Sequence, residues 1–232
     1  MTALKKLKKL GIFFFYDQLR KKKLKSAEPE FDILKKFLKK NENVIDIGAN
    51  IGRYSFELSS LVGKNGTVYA FEPILRNYLI FVSLIFMHGI KNIIPFNFAL
   101  SDKSKFLKMK EVKTQRRSTA KKMIYNTYTG SKVLKNGNII QYANKLDNFK
   151  INKKISFIKI DCEGHELEVL KGSIKTIKKN KPILLVQNTH YNVSKYLKSN
   201  GYKQAQIEMK KARKNYLFVY KTNTKLNLIK SK

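Results

Sequence analysis

Apolar residues occur along this chain in two rhythms. Val44–Ile47, Thr67–Phe71, Ile93–Leu100, Ile155–Ile160 and Pro182–Val186 are short, continuous apolar runs rich in β-branched side chains. Such runs predict strands buried on both faces of a parallel sheet. Helical spacing recurs between them, over Tyr54–Val62, Pro73–Met87 and Val193–Leu197. It recurs again after Gly164, where Leu167, Leu170, Ile174 and Ile177 share one face. The longest apolar run, Tyr78–Met87, predicts a buried helix. Ala205–Met209 and Tyr216–Tyr220 predict a closing antiparallel pair. The alternation of strand and helix predicts an α/β fold, a doubly wound Rossmann-like sheet with helices on both faces.

The rhythm breaks over residues 103–154. Phe106–Val112 and Asn138–Tyr142 predict two strands joined by a polar stretch carrying Arg116, Arg117, Tyr125 and Tyr128. A long irregular segment inside a domain is usually functional or disordered. We read it as a substrate-facing insertion, with disorder around 113–137 as the alternative. Upstream, Leu4, Leu7, Leu10 and Phe14 recur at helical spacing among lysines, which predicts a basic amphipathic helix. Such a helix either docks on its own domain or lies on an anionic membrane surface through residues 1–25. Phe31–Lys40 predicts a second short helix. The predicted organisation is an N-terminal extension over 1–40, one domain over 41–222 and a loose basic tail over 223–232.

Charge changes this picture more than length does. The 232 residues carry a formal net charge of +33, nearly all of it lysine, with arginine only at 20, 53, 76, 116, 117 and 213. An AT-rich genome encodes this lysine, asparagine and isoleucine bias. A surface selected for an anionic partner gives the same numbers. The single cysteine, Cys162, excludes an intrachain disulfide and fits a reducing compartment. No apolar run approaches the roughly 18–20 residues that span a bilayer. We expect a cytoplasmic protein, peripheral at the membrane if the basic helix binds lipid.

The candidate chemistry gathers at strand ends, where ligands of open α/β sheets bind. Asp46, Glu72, Asp102, Asp161 and Glu163 all fall there, in a chain with only 16 acidic residues. The turn Gly48-Ala49-Asn50-Ile51-Gly52 follows the first strand and opens a helix near Arg53. Glu72 comes twenty positions after Gly52, where a carboxylate can accept both hydroxyls of a ribose. As a helix N-terminal acid beside Pro73 it has a purely structural alternative. The Gly-x-x-x-Gly spacing departs from the dinucleotide fingerprint and favours S-adenosylmethionine, which has no pyrophosphate to cradle. Near the site, Cys162 reads as a packed side chain, and His165 and His88 as structural.

Val44-Ile-Asp-Ile-Gly-Ala-Asn-Ile-Gly-Arg-Tyr-Ser, Phe71-Glu-Pro, Ala99-Leu-Ser-Asp, Leu146-Asp and Phe157-Ile-Lys-Ile-Asp-Cys-Glu-Gly-His-Glu-Leu-Glu-Val-Leu-Lys-Gly occur in that order. Together they resemble the FkbM family of class I S-adenosylmethionine-dependent methyltransferases, from about Asn43 to Tyr202. The resemblance implies a seven-stranded sheet with its last strand antiparallel. It also implies a cofactor site across Asp46, Gly48, Ala49, Asn50 and Gly52, with Glu72 on the ribose and Ser101 and Asp102 near the adenine. Family members often methylate sugar hydroxyls of glycans or natural products, so the implied acceptor is a small-molecule or glycan hydroxyl.

An alcohol acceptor must lose a proton, which calls for a positioned base or an oxyanion stabiliser. Asp161 is the first candidate, with Glu163 beside it and His190 just beyond the fifth strand. Catechol-type O-methyltransferases share this fold and hold magnesium at the ends of the fourth and fifth strands. Asp161, Gln187 and Asn188 stand at comparable places, but Gln187 lacks the charge a glutamate would bring, so we expect no metal. Two other readings stay open: RNA ribose 2′-O-methylation, suggested by the charge, and a non-catalytic basic surface module. Asp161-Cys-Glu-Gly in place of an Asp/Asn-Pro-Pro-aromatic motif counts against methylation of base amino groups.

Overall fold

The computed structural model describes residues 30–117, 124–187, 191–205 and 215–223. The predicted helix over 1–25, His190, Asn188, residues 206–209 and the tail from 224 lie outside them. The elements run α1 (Glu30–Phe37), β1 (Asn43–Ile47), α2 (Arg53–Val62), β2 (Thr67–Phe71), α3 (Leu75–Met87), β3 (Ile93–Phe96) and β4 (Ala99–Leu100). There follow β5 (Lys105–Arg117), β6 (Ile124–Val133), β7 (Ile139–Asn144), a 3-10 turn (Leu146–Asn148) and β8 (Ile155–Ile160). The chain continues with α4 (Glu166–Gly172), α5 (Ile174–Asn180), β9 (Ile183–Gln187), α6 (Tyr191–Ser199), β10 (Tyr202–Gln204) and β11 (Asn215–Tyr220).

Seven strands form the main sheet in the order β10-β11-β9-β8-β1-β2-β3. The pairs β1/β2, β1/β8, β2/β3 and β8/β9 are parallel, whereas β11 runs antiparallel to both β9 and β10. Side chains alternate across a strand, so neighbouring residues feed two separate cores. Val44, Val68, Phe157 and Leu185 pack with Phe31, Leu34, Leu58, Phe81 and Leu84 from α1, α2 and α3. Ile45, Phe71, Ile158 and Leu184 pack with Val169, Leu170, Ile177, Val193 and Leu197 from α4, α5 and α6. Parallel strands covered on both faces explain the continuous apolar runs. The fold is the predicted doubly wound class, with an antiparallel strand near one edge. Among the described residues no helix is long and apolar enough to cross a membrane.

Several expected elements differ. Ile93–Leu100 is not one strand: Asn97 Nδ2 donates to the carbonyls of Glu72 and Pro73 at 2.9 and 3.0 Å, turning the chain out of the sheet after Phe96. Pro95 is tolerated because β3 is an edge strand. Ala99–Leu100 instead joins a second sheet, ordered β4-β7-β5-β6, in which β5 and β7 overlap the strands expected at Phe106–Val112 and Asn138–Tyr142. The helix expected after Gly164 is two helices meeting at Ser173. Gly172 packs so closely that a Cβ there would lie 1.9 Å from the Ser101 carbonyl oxygen.

Helix α3 is not fully buried. Asn77, Phe81 and Leu84 face inward, whereas Leu75, Leu79, Phe86 and Met87 stay exposed. A run apolar all round cannot reveal which side meets the sheet. At the closing pair the first strand is Tyr202–Gln204, ahead of its expected start at Ala205.

Candidate active site

The turn after β1 is built by close approach. Gly48 has φ +79°, and a Cβ on it would lie 2.0 Å from the Asp161 carbonyl oxygen, so only glycine lets β1 and β8 end side by side there. The Gly48 and Ala49 N–H groups both donate to the Phe71 carbonyl at 2.9 Å, tying the turn to β2. Gly52, with φ +90°, faces the Phe81 ring, which a Cβ would meet at 2.1 Å. Between them Asn50 holds φ +54°, a conformation asparagine tolerates better than most residues.

Glu72 closes the turn from the side. Its Oε2 accepts the Asn50 N–H at 2.8 Å, and its Oε1 accepts the Ile74 N–H at 2.9 Å and Asn77 Nδ2 at 3.4 Å. Burial pushes its pKa up to about 7, against the pull of these hydrogen bonds and of Lys159. Oε2, with a single donor, keeps lone-pair capacity toward the pocket, which Glu72 lines.

Lys159, in β8, joins two of the predicted acids, although nothing in the sequence sets it apart from the other lysines. Its Nζ lies 3.2 Å from Asp46 Oδ1, 3.5 Å from Asp161 Oδ2 and 3.2 Å from the Gly48 carbonyl, with the Tyr54 ring 5.1 Å away. Burial alone would depress the lysine pKa, but the Asp46 and Asp161 carboxylates outweigh it and raise it. Asp46 is fully buried and also accepts Ser55 Oγ at 2.6 Å. The Gln187 amide, with its nitrogen turned to Asp161, donates to both carboxylate oxygens. Asp161 is therefore held from two sides.

The Asp161–Gly164 turn carries positive φ at Glu163 (51°) and Gly164 (105°). Glu166, 1% exposed, holds it in place by accepting the N–H groups of Cys162 and Gly164, both at 3.1 Å. The partly buried Cys162 thiol is pushed well up, first by desolvation and then by Glu166 and Asp161. His165 lies with Nε2 2.9 Å from Ser101 Oγ and Nδ1 3.7 Å from Glu168. Burial lowers its pKa.

Gly48, Asn50, Glu72, Asp161 and Glu163 line one pocket, of about 670 Å³ when its open mouth is counted. Phe98, Leu107, Met109, Ser131 and Val133 form the wall supplied by the second sheet and the turn leading to it. The other predicted residues fall elsewhere. Asp46 sits beneath the turn, and Ala49 and Gly52 face the core. Ser101 bonds His165 and Asp102, while Asp102 pairs with Lys105 at 2.7 Å, which holds its carboxyl down at about 2. His190 lies outside the described residues. Among the described residues no three His, Cys, Asp or Glu side chains are placed to share a metal ion. Glu166 and His165 were visible in the sequence, but their partners are set by the turn; Lys159 looked like one lysine among many.

The pocket's donor set fits S-adenosylmethionine. Its lining combines the backbone of the Gly48–Asn50 turn with the buried Glu72 carboxylate and the acids Asp161 and Glu163, groups that accept from hydroxyls and attract a positive centre. A model of the methyltransferase FkbM domain matches residues 46–204. No curated protein compared with the chain matches it. Among solved structures, the methyltransferase FkbM of Methylobacillus flagellatus KT superposes with a TM-score of 0.55 at 18% identity, covering 77% of this chain and 43% of that one. This chain thus spans less than half the length of that structure. A SAM-dependent O-methyltransferase of Thermotoga maritima has a TM-score of 0.50 at 10% identity, covering 90% of this chain and 71% of its own. At these identities the structures speak for the fold; the domain match, over more than half of the residues, speaks for the family. The chain belongs to the FkbM family of S-adenosylmethionine-dependent methyltransferases.

Proposed function

We propose that the protein methylates a hydroxyl oxygen of a sugar, glycan or related metabolite. The observation that carries this reading is a pocket with three carboxylates, Glu72, Asp161 and Glu163, in a chain of net charge +33. Carboxylates concentrated against that background suit a ligand rich in hydroxyls and bearing a positive centre. S-adenosylmethionine, when bound, supplies a methyl group already activated as a sulfonium. Glu72 accepts hydrogen bonds from the ribose hydroxyls, and the Gly48–Asn50 backbone flanks the cofactor.

On the acceptor side Asp161, braced by Lys159 and Gln187, orients the acceptor by accepting a hydrogen bond from one of its hydroxyls. Glu163 takes the hydroxyl proton as the new C–O bond forms. Its φ of +51° on a pocket-lining residue is strain of the kind active sites retain. His190 stays a second candidate base from the sequence.

Transfer of labelled methyl from S-adenosylmethionine into separated glycan, lipid, RNA and small-metabolite pools tests the proposal. Label in a sugar hydroxyl supports it. Label in RNA replaces it with ribose methylation, and no S-adenosylmethionine binding in calorimetry replaces it with a non-catalytic surface module.

A further inference from the structure

The second sheet has two unlike faces. Leu107, Met109 and Val133 point inward and line the pocket. The alternate positions Phe106, Lys108 and Lys110 of β5 point outward and are exposed. Cross-strand pairing completes that outer face: Phe106 opposes Tyr142, and Lys110 opposes Lys132. Phe106 is 73% exposed and Tyr142 38%, an unusual exposure for two aromatic rings in contact.

Two features of this face point to a ligand. First, the rings form a continuous path to the pocket: Phe106 meets Tyr142 at 5.3 Å, Tyr142 meets Phe98 at 6.4 Å, and Phe98 lines the pocket. Second, like charges directly opposite in a sheet destabilise it, so the Lys110–Lys132 pair costs stability unless an anion lies between them. The surrounding segment gives no relief, since residues 103–154 hold thirteen lysines and two arginines against Glu111 and Asp147 alone.

We propose that this outer face is a docking track for an acidic sugar chain, which threads from the lysine pair across Phe106 and Tyr142 toward Phe98 and the pocket. The proposal rests on the sugar-hydroxyl reading of the site and narrows its acceptor to an anionic glycan. Ring geometry separates it from a nucleic-acid track. Successive bases need roughly parallel platforms, whereas these rings meet at 64° and 70°. A pyranose has C–H groups on both faces and can rest against such tilted walls.

Fluorescence anisotropy of the full chain with labelled oligogalacturonate, without S-adenosylmethionine, tests the track. Lys110→Glu with Lys132→Glu weakens binding by about tenfold or more, with a steep salt dependence. Phe106→Ala, at an exposed position that leaves the fold intact, weakens it by about tenfold at most. Lys178→Glu with Lys179→Glu, the same charge change on α5, has a much smaller effect. Absence of binding, equal losses in the two lysine pairs, or tighter binding of oligouridylate that Phe106→Ala weakens would each overturn the proposal. Because the readout needs no methyl transfer, docking that persists without sugar methylation sinks the site reading alone. Methylation of a neutral sugar without oligogalacturonate binding sinks the track alone.

Discussion

Glu72 accepts the backbone N–H of Asn50 at 2.8 Å, so the carboxylate at the end of β2 fastens the glycine turn after β1. The acid proposed to bind ribose and the turn it fastens are one unit, and this unit carries a titrating charge.

The charge makes stability depend on pH. Glu72 has a folded pKa of about 7, above its ordinary value of 4.5, so between these values the folded state binds more protons than the unfolded one. Its contribution is favourable below that window and is lost as pH rises through it, by about 3 kcal/mol in all. Glu72→Gln should flatten this pH dependence of Tm, although its amide nitrogen cannot accept the N–H that one carboxylate oxygen now accepts, and should weaken S-adenosylmethionine binding. Equal pH slopes of Tm in the two proteins would contradict the burial argument, and unchanged affinity in calorimetry would contradict the ribose assignment.

Lys159 is the counter-charge for two carboxylates. Lys159→Met should cost about 3–5 kcal/mol, because it leaves the buried Asp46 unpaired. Adding Asp46→Asn should recover part of that loss in urea unfolding. A loss no larger than that of an exposed lysine would show that the ion pair does not hold the strand ends together.

Two glycines separate space from backbone strain. Gly48→Ala drives a Cβ into the Asp161 carbonyl and should abolish cofactor binding along with much of the stability. Gly164 also has positive φ, but a Cβ there meets nothing within 4 Å, so Gly164→Ala should cost only about 1–3 kcal/mol of backbone strain. Similar behaviour of the two variants in thermal melts and calorimetry would refute the packing account.

Asp147 caps α5 from a distance. Its Oδ2 accepts the Lys175 N–H at 2.9 Å, and its Oδ1 accepts the Thr176 N–H and Oγ1, both at 2.8 Å. Asp147→Ala should cost about 1–2 kcal/mol. The expected readout is a lower urea midpoint with S-adenosylmethionine affinity unchanged, since the cap lies away from the pocket residues.

Local pattern carried much of this far. Thr67–Phe71 and Ile155–Ile160 were legible to the residue, because strands buried on both faces write themselves as unbroken apolar runs. Where the pattern was ambiguous it misled: Pro73–Met87 shows no side, and Ile93–Leu100 hides the exit that Asn97 makes toward the Glu72 carbonyl. The second sheet was half legible. Its strands β5 and β7 had apolar alternation, but the pairing of Ala99–Leu100 with Ala143–Asn144 joins segments more than forty residues apart.

By itself, then, the sequence determined the alternation of strands and helices, the glycine turn at Gly48–Gly52 and the acids at strand ends, since these depend on neighbours along the chain. Tertiary structure alone decided that β8 lies beside β1, and with it that Lys159 stands between Asp46 and Asp161. It also decided which face of the second sheet closes the pocket and which presents Phe106 and the lysines. Charge partners and sheet faces follow from strand order in space, and strand order is set by long-range packing that no local window of sequence contains.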